Sequence, residues 1–280
     1  MKLTRQWLEQ LPIKGIISCE TVRGGDINLA YRLHTQDQDY FMKVQPHHPA
    51  TYFDHEQHGL KEIAAAGVNT LTPIHSGAIH GDAYLLLNWL DASSGSQADL
   101  GRQVAKLHQH HRDQFGLGDH YETKILKEDN HWNASWPDFY IKHRLMPEVT
   151  YARQVGRWND FREEHFQRMV EKFNAYYQAH PVQPSLCHGD LWFGNVMFAA
   201  GQPYLIDPDA VYADREFDLA MTTVFGGFNA DFYQAYNEVY PIKPGIADRL
   251  PWYRFYYLCM HLDLFGESYG PEVDEILQQY

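Results

Sequence analysis

HGDLWFGNVMFAAGQPYLIDPD, residues 188–209, decides how the rest of the chain is read. Two apolar runs, NVMF (195–198) and PYLI (203–206), flank Ala199-Ala200-Gly201-Gln202, which has the composition of a turn; the spacing predicts a β-hairpin over 195–207. Asp190 and Asn195 precede the first strand and Asp207 ends the second, so the hairpin returns Asp207 to the loop it left. Three oxygen-bearing side chains then converge. HGD alone reads equally well as an ordinary turn; loop, hairpin and IDPD together point to chemistry.

Two carboxylates and a carboxamide suit a hard divalent ion such as Mg²⁺, with water and phosphate in the remaining positions. The spacing from Asp190 to Asn195, followed by an Asp beyond a hairpin, is that of a kinase catalytic loop. In such a loop the first Asp takes a hydroxyl proton, while the Asn and the second Asp hold metal.

The first 90 residues can be tested for the parts such a loop needs. GIISCETV (15–22), NLAYRLHT (28–35) and DYFMKVQ (39–45) alternate like strands joined by short turns. TYFDHEQHGLKEIAAAG (51–67) has helical spacing, and LTPIHSGAI (71–79) and AYLLLNWL (83–90) are further strands. The expected order is β-β-β-α-β-β. Lys43 lies on the third strand among apolar residues, where a charge is costly unless paired. Glu56 lies one turn from Phe53 and Leu60, near the inward face of the helix, and is its expected partner. A strand Lys paired with a helix Glu is how kinases hold nucleotide phosphates. Gly24, Gly25 and Asn28 lie between the first two strands, where glycine permits close backbone approach to phosphates; a plain hairpin turn fits them equally well. The backbone of Asn88, Trp89 and Leu90 is placed to meet an adenine edge, and a buried strand entering a linker is the plainer reading.

DASSGSQ (91–97) is polar and small, and reads as a hinge between a nucleotide-binding lobe (1–90) and a catalytic and substrate-binding lobe (91–280). Beyond it helices are expected over 98–111, 136–147, 159–179, 216–225, 229–239 and 247–264, with 195–207 the one clear strand pair. Glu216 and Asp218 read as carboxylates favoured at a helix start. His261 and Asp263 sit in an apolar setting before a helix-ending Gly266, as structural groups or substrate contacts.

A net charge of −13 argues against a nucleic-acid surface and is compatible with an amine-bearing substrate. No run approaches the roughly 20 apolar residues of a membrane span, and the first residues lack a signal-peptide core, so a cytoplasmic location is expected. Cys19, Cys187 and Cys259 have no metal or disulfide spacing and read as small buried side chains. LHQHHRD (107–113) reads as a solvated helix end rather than a metal site.

GGDINLAYRL, FMKV, HEQHGL, LGRQVAKLH, HWNASWPDFYIKHRL, LCHGDLWFGNV, LIDPDAVYADREFDLAMTTVFGGF and LFGESYG together resemble the fructosamine (ketosamine) kinase family, within the aminoglycoside phosphotransferase and choline kinase-like fold. The resemblance implies an α+β, bilobal protein kinase-like fold, with a five-stranded antiparallel N-lobe sheet carrying one helix and a mostly helical C-lobe. It implies ATP and Mg²⁺ as cofactors and phosphorylation of a sugar hydroxyl on a ketoamine, free or on protein lysine, with deglycation as the result. Asp190 matches the catalytic base, Asn195 and Asp207 the metal ligands, and Lys43 with Glu56 the phosphate-positioning pair. Trp192 and His261 match sugar-facing positions. Phe193 stands where the family commonly has Gly or Ser, and is expected to alter the acceptor pocket. Asp209 adds a carboxylate after the metal aspartate, as a further metal or amine contact. Asp26 and its neighbours replace the cysteine that some members carry in the phosphate loop. Another small-molecule kinase of the same fold is the alternative. A non-catalytic nucleotide-binding module or a metal-dependent hydrolase fits less well, because the first predicts a missing catalytic residue and the second leaves Lys43 and Glu56 unexplained. A protein kinase is disfavoured: Glu216 follows Asp207 by nine positions, too few for an activation loop.

Overall fold

The computed structural model describes residues 3–22, 28–122 and 127–280. A short helix, Arg5–Leu8 (α1), precedes three strands, Ser18–Thr21 (β1), Leu29–His34 (β2) and Asp39–Gln45 (β3). A 3-10 turn at Ala50–Phe53 leads into Asp54–Ala65 (α2), and Pro73–Ile79 (β4) and Asp82–Asn88 (β5) follow. These strands form one antiparallel sheet in the order β1-β2-β3-β5-β4. The first strand is shorter than its alternating pattern suggests, and the helix opens with a 3-10 turn.

Strand alternation divides the sheet into two faces. Tyr31, Leu33, Met42, Val44, Tyr84 and Leu86 pack on one face under Trp7 and Leu11, so the N-terminal segment covers that side. Leu85, Leu87 and Phe41 pack on the other, with Leu60 of α2. A helix of this length is marginal alone. Burial of Leu60 and Ile63, roughly 1.5–3 kcal/mol each, is what holds α2 in place. Lys43 projects from the α2 side of β3.

The rest of the chain runs through Gln97–His108 (α3), His120–Glu122 (β6), Lys127–Asp129 (β7), Trp136–Tyr140 (α4), Met146–Gln154 (α5) and Asp160–Ala179 (α6). Ser185–Cys187 (β8), Val196–Ala199 (β9), Gln202–Leu205 (β10), Val211–Ala213 (β11) and Glu216–Met221 (α7) come next. Ala230–Val239 (α8), Ile246–Phe265 (α9) and Gly270–Leu277 (α10) close it. The aromatic-rich core of this half lies among α4, α6 and α9. A second core joins α3, α8 and the β9–β10 hairpin.

Several expectations need correction. The helix expected over 136–147 continues to Gln154, because a π turn at Ile141–Leu145 starts a new helix with Pro147 in its first turn, where a missing N–H needs no partner. The hairpin over 195–207 is not the sole strand pair: β8 pairs with β11, and β6 with β7. Strands of three residues are too short to show alternation. The 91–97 stretch is fastened rather than loose: Ser93 N–H donates to the Phe198 carbonyl at 2.7 Å, and Ala92 bridges Ala199. His108 is fully buried, not solvated, with one ring nitrogen 2.8 Å from the Tyr236 hydroxyl and the other 3.0 Å from Asp218. Cys187 and Cys259 are buried as expected, while Cys19 is partly exposed.

Candidate active site

The loop after β8 is held by its backbone. Asp218, on α7, accepts from the His188 N–H at 2.7 Å and the Gly189 N–H at 2.9 Å. Its carboxylate therefore serves the loop rather than its own helix end. The Tyr257 hydroxyl donates to the Gly189 carbonyl at 2.7 Å. Gly189 has a φ of 86°, and a Cβ there would lie 1.7 Å from the Asp209 carbonyl oxygen, so only glycine fits. The His188 Nε2 lies 2.9 Å from the Ile206 carbonyl, and its Nδ1 lies 3.3 Å from the Asp190 N–H. The carbonyl requires a donor and the amide an acceptor, which selects the neutral Nε2–H tautomer. Burial pushes the imidazole pKa down, in keeping with that form.

These bonds aim Asp190. Asn195 donates through Nδ2 to both the Asp190 carbonyl and its Oδ2, at 2.9 Å each. Among the described residues this leaves the Asp190 Oδ1 and the Asn195 Oδ1 without hydrogen-bond partners. The hairpin brings Asp207 back as expected: Ile206 N–H donates to the Asn195 carbonyl at 3.0 Å. Asp207 adopts a φ of 55°, a left-handed conformation uncommon outside glycine, and so turns its carboxylate towards the sheet. There the Lys43 Nζ lies 2.8 Å from the Asp207 Oδ1 and 2.8 Å from the Glu56 Oε1. Burial opposes the Lys43 charge, but the two carboxylates outweigh it and raise its pKa. Oxygen donors on Asn195 and Asp207 beside a fixed cation fit a hard divalent ion and phosphate oxygens.

Asp190, Asn195, Asp207, Lys43, Glu56, Asn28 and Trp192 line one cleft of about 580 Å³, with His261 at its other end. The Asn28 Oδ1 is buried without a partner among the described residues. Gly24 and Gly25 lie outside the described residues. Asn88, Trp89 and Leu90 do not line this cleft: the Asn88 side chain accepts from Thr72 N–H at 2.6 Å, and the Trp89 indole donates to Asp91 at 2.8 Å. Their side chains are engaged elsewhere. Leu90 packs beside Phe41, Leu87 and Ile206 in the apolar cluster next to Lys43.

Burial first, then the charge of Asp209, pushes Asp190 up to about 7. Asp209 itself is kept ionised: burial opposes this, but His55 and the Tyr121 hydroxyl bond it and lower its pKa. His55, on α2 next to Glu56, spans Asp209 and Asp119 at 2.9 Å each, stacked on Tyr121 with ring centroids 3.8 Å apart. Its two carboxylate partners overcome desolvation and raise it to about 9. An imidazolium thus ties the helix bearing Glu56 to the strand end bearing Asp209. Neither His55 nor Tyr121 stands out in the sequence, since the pairing joins residues 154 positions apart.

The far end of the cleft is aromatic at its mouth and acidic within. Trp192 folds over Gly194, where a Cβ would meet the indole at 2.1 Å, and packs edge-on to Phe225 at 6.1 Å. His261 packs between Phe225 at 4.9 Å and Tyr269 at 5.1 Å. Glu128 and Glu148 line the interior. Asp263 does not line the cleft: side chains two residues apart on a helix point roughly 200° away from each other, so His261 faces the cleft and Asp263 is buried behind it. Phe193 does not shape the pocket either, because it packs on Phe228 at 5.4 Å, inside the C-terminal half. Asp209 does line the cleft, engaged by His55 and Tyr121.

Comparison with known proteins identifies the family of the chain. The family model described as "Fructosamine kinase" matches residues 1–280. The chain is 50% identical over 283 residues to a Lactiplantibacillus plantarum protein named "Probable ketoamine kinase", covering 100% of each. It is 30% identical to a rice protein named "Protein-ribulosamine 3-kinase, chloroplastic", covering 99% of this chain and 82% of that one. A crystal structure named "Putative fructosamine-3-kinase" from Haemophilus somnus superposes with a TM-score of 0.85 at 25% identity, over 94% of this chain and 91% of that one. The aminoglycoside phosphotransferase APH(4)-Ia, in a ternary complex with ADP and hygromycin B, superposes with a TM-score of 0.65 at 13% identity, over 94% of each chain. That likeness shows the protein kinase-like fold alone. The chain belongs to the fructosamine kinase family.

Proposed function

We propose that this protein is an ATP-dependent kinase that phosphorylates a sugar hydroxyl of a ketoamine, a fructosamine or ribulosamine free or on protein lysine, in deglycation. The observation that carries the reading is one chain of contacts: Glu56 to Lys43 to Asp207, ending beside the Asn195 and Asp190 pair. The names of the relatives narrow the acceptor to ketoamines. On this reading residues 1–90 hold the nucleotide and 91–280 hold the acceptor.

The Asp190 Oδ1 accepts the acceptor hydroxyl's proton while Asn195 fixes Oδ2, which orients the base before substrate arrives. Lys43, tethered on both sides, neutralises phosphate charge without reorganising. Asn195 and Asp207 would hold Mg²⁺, which when bound supplies charge neutralisation on the transferring phosphoryl group. The base of the nucleotide lies against Ala30 and Phe41, which line the cleft beside Lys43. Trp192 and His261 flank the sugar. Among the described residues no helix is long and apolar enough to cross a membrane, and we place the enzyme in the cytoplasm, where ATP is available.

An ADP-release assay with fructoselysine, ribuloselysine, choline and an aminoglycoside as acceptors tests this. ADP formation should require both Mg²⁺ and a ketoamine. Turnover of choline or the aminoglycoside without turnover of any ketoamine would overturn the acceptor, and absence of nucleotide binding would overturn the reaction.

A further inference from the structure

Behind the aromatic mouth, Glu148 of α5 forms part of the cleft wall, although its side chain is only 2% exposed. Among the described residues its Oε2 has no N–H or hydroxyl donor. Asp263 of α9, 3% exposed, stands behind it, and among the described residues the two carboxyl groups have no donor but the proton they share. Buried acceptors left without donors are costly. The nearby guanidinium of Arg144 does not satisfy them, because it is committed to Glu128 at 3.3 Å, to Asn130 and to the His143 carbonyl at 2.9 Å. Arg157 bonds the Asp263 and Leu262 backbone carbonyls, at 2.7 Å each, rather than the Asp263 carboxylate. The inner wall therefore sets the Glu148 carboxyl against the cleft, while the nearby Arg144 and Arg157 are engaged elsewhere.

We propose that Glu148, with Asp263 behind it and Glu128 beside it, is a subsite for the protonated secondary amine of the acceptor, and that it makes the enzyme select ketoamines over neutral ketoses. The inference rests on the ketoamine reading above and adds to it the group by which the amine is recognised. A secondary ammonium has two N–H donors, and Glu148 and Glu128 are the acids that line this part of the cleft. The aromatic mouth formed by Trp192, Phe225, His261 and Tyr269 accommodates the apolar faces of the sugar and the attached chain. Without substrate the two acids share one proton: burial raises both carboxyl groups above the ordinary carboxylate range. An arriving ammonium replaces that proton, which leaves to solvent; the site exchanges one positive charge for another and no covalent bond to the substrate changes.

The test compares kcat/KM at saturating ATP for fructoselysine and for 1-deoxyfructose, which lacks the amine, in wild type, Glu148→Gln and Glu148→Asp. Wild type should favour the amine at least about 100-fold. Glu148→Gln should lose at least tenfold of that preference through KM for fructoselysine, with KM for ATP unchanged, and Glu148→Asp should regain part of it. A preference in Glu148→Gln within twofold of wild type would overturn the subsite while leaving the reaction standing. Absence of ketoamine turnover in wild type would remove both. Should Glu148→Gln fail to fold, calorimetric titration of wild type with fructoselysine in buffers of different ionisation enthalpy decides the matter. Release of close to one proton per ligand supports the subsite, and no release overturns it.

Discussion

The two ends of the cleft are built in different ways. The phosphoryl-transfer end is a closed set of short bonds: His188 to Ile206, Gly189 to Asp218, Asn195 to Asp190 and Lys43 to Asp207. The acceptor end draws Glu128, Glu148, Trp192, Phe225, His261 and Tyr269 from separate segments. Chemistry is fixed by a rigid, local framework, whereas selectivity is spread over a surface that can change residue by residue.

The sharpest way to break this contrast is at Asp190. Asp190→Asn keeps the shape of the loop and removes the base, so kcat should fall by about 10³-fold, with nucleotide affinity within threefold of wild type by titration. Lys43→Met should lower kcat/KM for ATP by about 10²-fold, read from initial rates across ATP concentrations, because it removes a preorganised cation and leaves Glu56 and Asp207 unpaired.

The junction between the two ends is His55. Its folded pKa of about 9 lies above its ordinary value near 6.5, so its stabilisation is complete below about pH 6.5 and is lost as pH rises through 9. In denaturant melts the stability gap between wild type and His55→Gln should be about 2–3 kcal/mol at pH 6.5 and should close towards pH 9.5. A constant gap over that range would remove the imidazolium from the account. The smallest effect is expected at Phe193. Phe193→Ala should lower stability through its lost contact with Phe228, by roughly 1–3 kcal/mol, yet shift KM for a ketoamine less than twofold, since the ring faces away from the acceptor.

The same contrast explains what could be read from the sequence. Asp190, Asn195 and Asp207 are legible because a hairpin of known length must return its end to its start. Lys43 and Glu56 are legible because a charge among apolar strand residues needs a partner within reach. The five strands and α2 follow from strong periodicity. Glu128 and Glu148 are not legible, because one acid on a three-residue strand or in a nine-residue helix carries no spacing signal. The structure departs from the expected roles of His108 and Asp218 for a related reason: a helix end rich in histidine reads as solvated until α8 and the catalytic loop are packed against it. Phe193 turns away from the pocket it is expected to shape, because an eight-residue motif does not say which way each ring turns. Asp263 lies on the correct helix and on the wrong face of it.

The central claim is transfer of a phosphoryl group to a sugar hydroxyl at the Asp190 end of the cleft. Its most direct test is ³¹P NMR of the wild-type reaction with ATP, Mg²⁺ and fructoselysine. The account predicts one new phosphomonoester resonance, equimolar with ADP and coupled to a sugar C–H. A phosphoramidate on the amine, or inorganic phosphate as the sole partner of ADP, would contradict it.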